Sequence, residues 1–191
     1  PNMEKTSRQN KKKAGFSLIL PTYNAAAELS LALASLGKNS FLDNELIVVV
    51  DALKEGGVNK EVLKVLEEAG VKPLINKENL GPYRSWNKGA KKAAKDWLCF
   101  LTDDQYFAPG WDKALWDFCQ RGRILTSQLV EPGIIPVWPT NIKKDFGQNP
   151  AEFREEDFLE FAKSKARQEL ADDGFFIPLV IHRDDFWQIG G

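Results

Sequence analysis

Glu45-Leu46-Ile47-Val48-Val49-Val50-Asp51 is a nearly continuous apolar run, largely β-branched, that ends on a carboxylate. It lacks the apolar/polar alternation of a strand with one wet face. The pattern therefore predicts a strand covered on both sides, as in a parallel sheet. Upstream, Phe16 to Leu20 reads as another strand, stopped by Pro21. Between the two, Asn24 is the expected N-cap of a helix carrying Leu29, Ala32, Leu33 and Leu36 on one face, with Gly37 as its close. Downstream, residues 59–69 predict a second helix stopped by Gly70, and Val71 to Ile75 a third strand. Pro82 suits a helix N1 position, ahead of an apolar face of Tyr83, Trp86, Ala90 and Ala94. Lys88, Lys91, Lys92 and Lys95 fall on the other, solvated side. Trp97 to Leu101 is a fourth strand, ending at Thr102-Asp103-Asp104. Strands alternating with helices imply right-handed crossovers and a mainly parallel sheet in an α/β fold.

Beyond Trp111 the rhythm changes. Trp111, Leu115 and Phe118 predict a helix, and Ile124 to Val130 a strand. Residues 131–152 are rich in Pro, Gly and Asn and longer than an ordinary connection, which suggests a functional loop. Phe153 to Leu170 reads as an amphipathic helix, Phe175 to Ile181 as a strand, and Asp184 to Ile189 as a short helix. The expected organisation is a disordered basic tail over 1–14 and a single domain over 15–191, with its second half irregular. The tail carries no signal-peptide core. Met3 is the expected natural start, and a natural chain continuing past Gly191 is expected because the sequence ends directly after an apolar stretch.

The 191 residues carry 26 Lys+Arg against 27 Asp+Glu, a net charge of −1, which argues against a nucleic-acid binder. A hydrophobic fraction of 43% excludes a disordered chain. No apolar run approaches the roughly 18 residues of a membrane span. Cys99 and Cys119 form neither a disulfide framework nor a metal-finger spacing; Cys99 reads as a small buried hydrophobe. The expected location is cytoplasmic, at most peripheral on a membrane surface.

Ligands of parallel α/β sheets collect outside the carboxyl ends of the strands. Three such ends carry polar groups here: Pro21-Thr22-Tyr23-Asn24, Asp51, and Thr102-Asp103-Asp104. Adjacent carboxylates leaving a buried strand call for a positive partner, and Mg²⁺ or Mn²⁺ would bridge them to a phosphate. An Asp pair alone is equally an ordinary strand-end turn.

The ordered combination is more specific. Phe16–Asn24 (FSLILPTYN), Glu45–Asp51 (ELIVVVD), Asn79-Leu80-Gly81, Trp86–Ala90 (WNKGA), Phe100–Asp104 (FLTDD) and Pro109-Gly110-Trp111 follow one another at sensible separations. The set resembles the family 2 glycosyltransferases, inverting nucleotide-sugar transferases with a GT-A fold. The match is close over 16–119, weak over 120–174, and returns at Phe175–Gly191. The resemblance implies a Rossmann-like sheet flanked by helices, a nucleotide-sugar half over 15–119 and an acceptor half over 120–191. It implies a hexosyl-type transfer from a nucleotide-diphosphate sugar, UDP-sugar favoured, to the hydroxyl of a glycan, lipid-linked or protein-linked acceptor, with Mn²⁺ or Mg²⁺.

The same resemblance implies roles position by position. Pro21, Thr22, Tyr23 and Asn24 match the loop against the nucleobase, where the Tyr23 ring offers stacking. Asp51 matches the carboxylate on the uracil edge. Asn79, Gly81 and Asn87 border the nucleotide; Trp86 stands where relatives often carry Arg, and Arg84 is the nearby candidate for the diphosphate. Thr102 replaces the first acid of an Asp-x-Asp site. Asp103 would approach the ribose or the metal, and Asp104 would be the principal metal ligand. The general base is expected after Gly191, with Asp172 and Asp173 as substitutes within the chain. His182, the sole histidine, is either a further metal ligand or a structural residue. Trp138 is either an acceptor-stacking ring or a loop anchor.

The alternative is a donor-binding module of a larger protein, with catalysis incomplete in this chain. A nucleotidyltransferase or NAD-dependent dehydrogenase fares worse, since no G-x-G-x-x-G follows the first strand and no P-loop is present.

Overall fold

β1 (Ser17–Thr22) is buried along its whole length, which only a central strand covered on both faces can be. The computed structural model describes residues 13–133, 140–171 and 177–191. The expected basic tail as far as residue 12, Trp138, Asp172, Asp173, and Phe175-Phe176 of the expected last strand lie outside the described residues.

After β1 come α1 (Ala26–Asn39), β2 (Glu45–Val50), α2 (Lys60–Glu68), β3 (Leu74–Ile75), α3 (Gly81–Ala90), β4 (Trp97–Phe100) and α4 (Trp111–Trp116). The second half adds β5 (Leu125–Thr126), β6 (Val130–Glu131), β7 (Ile142–Lys143), a 3₁₀ turn over Pro150–Glu152, α5 (Glu155–Lys165), β8 (Leu179–His182) and α6 (Arg183–Gln188). Six strands form one sheet in the order β3-β2-β1-β4-β8-β5. β1, β2, β3 and β4 are parallel, as expected, whereas β8 pairs antiparallel to both β4 and β5. A small parallel pair, β6-β7, stands apart.

One face of the sheet packs Leu18, Leu20, Val48 and Val50 against Leu29 and Leu36 of α1 and Val62 and Leu66 of α2. The other face packs Ile19, Leu98 and Phe100 against Trp86 and Ala90 of α3 and the β8 residue Ile181. Gly89 permits α3 to lie this close: a Cβ there would come within 2.4 Å of the Ile19 side chain. Burial raises the Cys99 thiol well above its ordinary range, as suits a small core residue.

Several boundaries differ from expectation. β1 does not stop at Pro21 but runs through it to Thr22. α1 is capped by neither Asn24 nor Gly37. It starts after Ala25 and runs past Gly37, because the Asn39 side chain bonds to Phe107 O at 2.7 Å and holds the last turn down. The strand expected over 124–130 is two short ones, and the helix expected over 153–170 ends at Lys165. Tyr83, expected on the apolar face of α3, is 65% exposed, since that face is already filled by Trp86 and Ala90.

The connection after α1 is held by a buried carboxylate. Asp112 is fully buried and accepts from the amides of Phe41 (3.0 Å), Leu42 (2.9 Å) and Lys113 (2.8 Å), and from Asn44 Nδ2 (2.7 Å). Gly110, at φ +73, turns the chain into α4 against the Phe41 ring. Asp112→Ala strands these buried donors and is expected to lower the unfolding free energy by about 3 kcal/mol, measured by urea titration. A loss below about 1 kcal/mol would show that water replaces the carboxylate.

Candidate functional site

The carboxyl ends of β1, β2 and β4 meet on one rim, and β1 sets the spacing. Its Thr22 carbonyl receives Asp51 N at 2.9 Å, and its Ile19 carbonyl receives Leu101 N at 2.9 Å. The turn after β2 and the turn after β4 therefore hang on the same strand, one on each side.

After β4, the Thr102 hydroxyl donates to Asp104 Oδ1 at 2.6 Å, and Thr102 N donates to Gln105 Oε1 at 3.3 Å. The residue standing where the family pattern has an acid thus orients the acid that follows it. Asp104 is exposed, whereas Asp103 is half-buried. Burial raises the Asp103 carboxyl above the usual range, with the neighbouring Asp104 charge adding to the rise. The Thr22 hydroxyl opposes it from close by, although it is buried and meets the geometry of a hydrogen bond with no partner among the described residues. Asp103 and Thr22 are thereby brought together at the tips of β4 and β1.

Asp51 is 5% exposed, and its carboxylate is already engaged. It accepts from Asn76 Nδ2 (2.7 Å), Leu80 N (3.0 Å) and Gly81 N (2.9 Å). The Asn79 side chain also accepts from Gly81 N, at 3.1 Å, and Gly81 takes φ +73, a conformation suited to glycine. Asn76, 2% exposed, continues the network to Ser85 Oγ at 2.9 Å and accepts from Lys88 Nζ at 2.5 Å. Lys88 is therefore a buttress of the loop as well as a surface cation. Sequence reasoning missed Asn76, Ser85 and Lys88. Asn76 follows β3 directly, and the strand-end rule that found Asp51 would have found it too.

Tyr23 and Asn24 stand at the surface of the rim, half-buried and exposed, while Pro21 is buried beneath them. Arg84 is exposed in the first turn of α3 and makes no ion pair among the described residues. Trp86 points inward, 8% exposed, and its indole N–H donates to Leu101 O at 2.9 Å. Asn87 approaches the other end of the chain: a Cβ on Gly191 would lie 3.4 Å from Asn87 Nδ2.

The metal role for His182 is not supported. The antiparallel register sets His182 opposite Trp97, at the far end of β4 from Asp103. Its Nδ1 accepts from Asp184 N at 3.2 Å and caps α6. Among the described residues no three His, Cys, Asp or Glu side chains gather as a metal cluster. Two oxygen-bearing acids, one of them desolvated, still fit Mg²⁺ or Mn²⁺, which take few protein carboxylates and fill the remaining positions with phosphate oxygen and water.

A family model described as "Glycosyl transferase family 2" matches residues 17–190. An uncharacterized glycosyltransferase of Haemophilus influenzae is 37% identical over 93 residues, covering 49% of this chain and 30% of the relative. A PGL/p-HBAD biosynthesis glycosyltransferase of Mycobacterium bovis is 33% identical over 94 residues, covering 47% and 35% respectively. The chain thus spans about a third of the length of these curated relatives. Among solved structures, the mannosyltransferase PcManGT of Pyrobaculum calidifontis, in complex with GDP-Man and Mn²⁺, aligns at TM-score 0.59 and 17% identity. That alignment covers 95% of this chain and 48% of the neighbour. S. aureus TarS 1–349 in complex with UDP-GlcNAc aligns at TM-score 0.53 and 24% identity over 65% and 37%. These two likenesses bear on the fold.

Two measurements test the site. Asn76→Ala removes a buried hub and is expected to cost about 2 kcal/mol and to speed amide exchange at Leu80 and Gly81; unchanged exchange there would dismiss the network. The second concerns Asp103. Its raised folded value means that the folded chain binds more protons than the unfolded one just above the ordinary Asp range, so its charge destabilises progressively as pH rises through that window. In metal-free buffer, Asp103→Asn is therefore expected to gain stability relative to the parent between about pH 4 and about pH 7. Urea titrations showing a constant difference across that range would contradict the burial of this carboxyl.

Proposed function

The chain belongs to glycosyl transferase family 2, and on that premise we propose that it takes a sugar from a nucleotide diphosphate, UDP favoured, and passes it with inversion to an acceptor hydroxyl. The observation that carries this reading is that the acidic turn after β4 and the Asp51 turn after β2 hang on the two sides of β1, through Leu101 N to Ile19 O and Asp51 N to Thr22 O. Residues 15–119 make the donor half and 120–191 the acceptor half.

Each rim residue has work suited to its chemistry. Tyr23 stacks on the base, an arrangement that costs little side-chain entropy, and Pro21, Thr22 and Asn24 shape the floor and edge beside it. Asp51 orders the 76–81 loop with three of its roughly four acceptor positions, and the fourth suits a uracil N–H. Asn79, Gly81 and Asn87 line the approach, and Arg84 supplies the positive charge nearest the diphosphate. Asp104, oriented by Thr102, and Asp103 would hold Mn²⁺ or Mg²⁺. A divalent ion there offsets diphosphate charge and favours departure of the nucleotide. Inversion also requires a base for the acceptor proton. Donor binding with transfer completed elsewhere in a longer protein is the competing reading, and the limited span of the relatives' length keeps it in play.

Asp104→Ala is expected to abolish binding of UDP–Mn²⁺ in calorimetry, and an unchanged affinity would refute the site. A thermal-shift screen of UDP-, GDP- and dTDP-sugars with and without Mn²⁺ reads the donor directly, since a ligand of the folded form raises the midpoint. Nucleotide release by the 191-residue chain separates transfer from binding alone.

A further inference from the structure

Pro21 lies inside β1, a central strand, where proline is normally excluded because it cannot donate to the ladder. On the β2 side the register continues through it, Pro21 opposite Val49. On the β4 side pairing stops at Ile19 opposite Phe100. The parallel pattern identifies the bond that is lost. Leu101 N donates to Ile19 O, so the next rung would run from the amide of residue 21 to Leu101 O. Proline has no such amide, and Leu101 is fully buried, where water is a poor replacement. The indole N–H of Trp86 fills the gap, 2.9 Å from Leu101 O.

Leu101 is the last residue before Thr102-Asp103-Asp104. We infer that Trp86 is a positioning residue for the acidic turn: its indole replaces the rung Pro21 cannot make and anchors the carbonyl from which Asp103 and Asp104 depart. The ring is held for this task by edge contacts with Tyr83 (5.4 Å) and by Phe100 (5.8 Å). Pro21 and Trp86 thus form a matched pair, one removing a donor and the other supplying it. The importance of the anchor for nucleotide binding rests on the donor-site reading above; the anchor itself does not.

The test is a double-mutant cycle on the full chain, read by calorimetry with UDP and Mn²⁺ and by amide exchange of the ligand-free protein. Trp86→Phe keeps an aromatic ring and removes the donor together with part of the buried ring volume, and the Pro21→Ala background separates these two losses. It is expected to weaken UDP–Mn²⁺ binding about three- to tenfold and to speed exchange across residues 101–107. In a Pro21→Ala background, where an amide is again available to Leu101 O, the loss caused by Trp86→Phe is expected to shrink to less than about twofold. A rescue of this kind is not expected if Trp86 merely fills space. Equal losses in both backgrounds, or unchanged exchange at 101–107, overturn the inference. If Trp86→Phe does not fold, the indole proton of the unaltered protein decides: slow exchange supports the anchor, and exchange at the rate of free tryptophan overturns it. If the unaltered protein binds no nucleoside diphosphate with Mn²⁺, the donor reading falls, while exchange still settles what Trp86 holds.

Discussion

Two carbonyl groups of β1 determine where both acidic turns stand. Ile19 O holds the chain leaving β4 and Thr22 O holds the chain leaving β2, each through a 2.9 Å bond. A strand buried on both faces cannot shift without exposing its apolar side chains, so these two bonds transmit the rigidity of the core to the rim. The carboxylates themselves need no long loops to be placed. They sit close to a rigid ladder, an arrangement that leaves the backbone carrying them little freedom to reorganise.

The polar residues beneath the rim follow a common logic. Asp51 and Asp112 are both buried, and each is surrounded by donors, mostly backbone amides of loops that lack ladder partners. A buried carboxylate of this kind costs desolvation and repays it by satisfying several amides at once. Asp103 differs. No hydrogen bond to its carboxylate with normal geometry occurs among the described residues, and burial raises its proton affinity. The contrast separates two carboxylates that satisfy loop amides from one for which desolvation outweighs its local stabilisation.

The second half of the chain is tied to the first at several points. β8 inserts beside β4, and Glu155 of α5 bonds to both Lys38 and Tyr106. Tyr106, two residues beyond Asp104, also stacks with Phe153 and Phe158. The packing that seats α5 therefore begins at the acidic turn itself. Burial and the Glu155 bond push the Tyr106 hydroxyl up to about 12.

What could be read in advance was whatever depends on local periodicity. The unbroken run 45–51, the helical stripes of 29–36 and 59–69, and the polar residues at three strand ends followed from side-chain spacing alone, and so did the parallel α/β architecture. Family 2 membership likewise rested on ordered motifs within the first 119 residues. The remainder depended on contacts between segments far apart in the chain. No local pattern could show that α1 would run past Gly37, since Phe107 supplies the restraint, or that His182 would pair opposite Trp97 and away from the acids. Nor could it show that Pro21 would continue a strand, because the donor replacing its missing amide lies 65 residues later on α3. Spacing determines which face a residue turns toward the core; only the folded chain decides which distant atom meets it there, because hydrogen bonds and packing act over ångströms, whatever the separation in sequence.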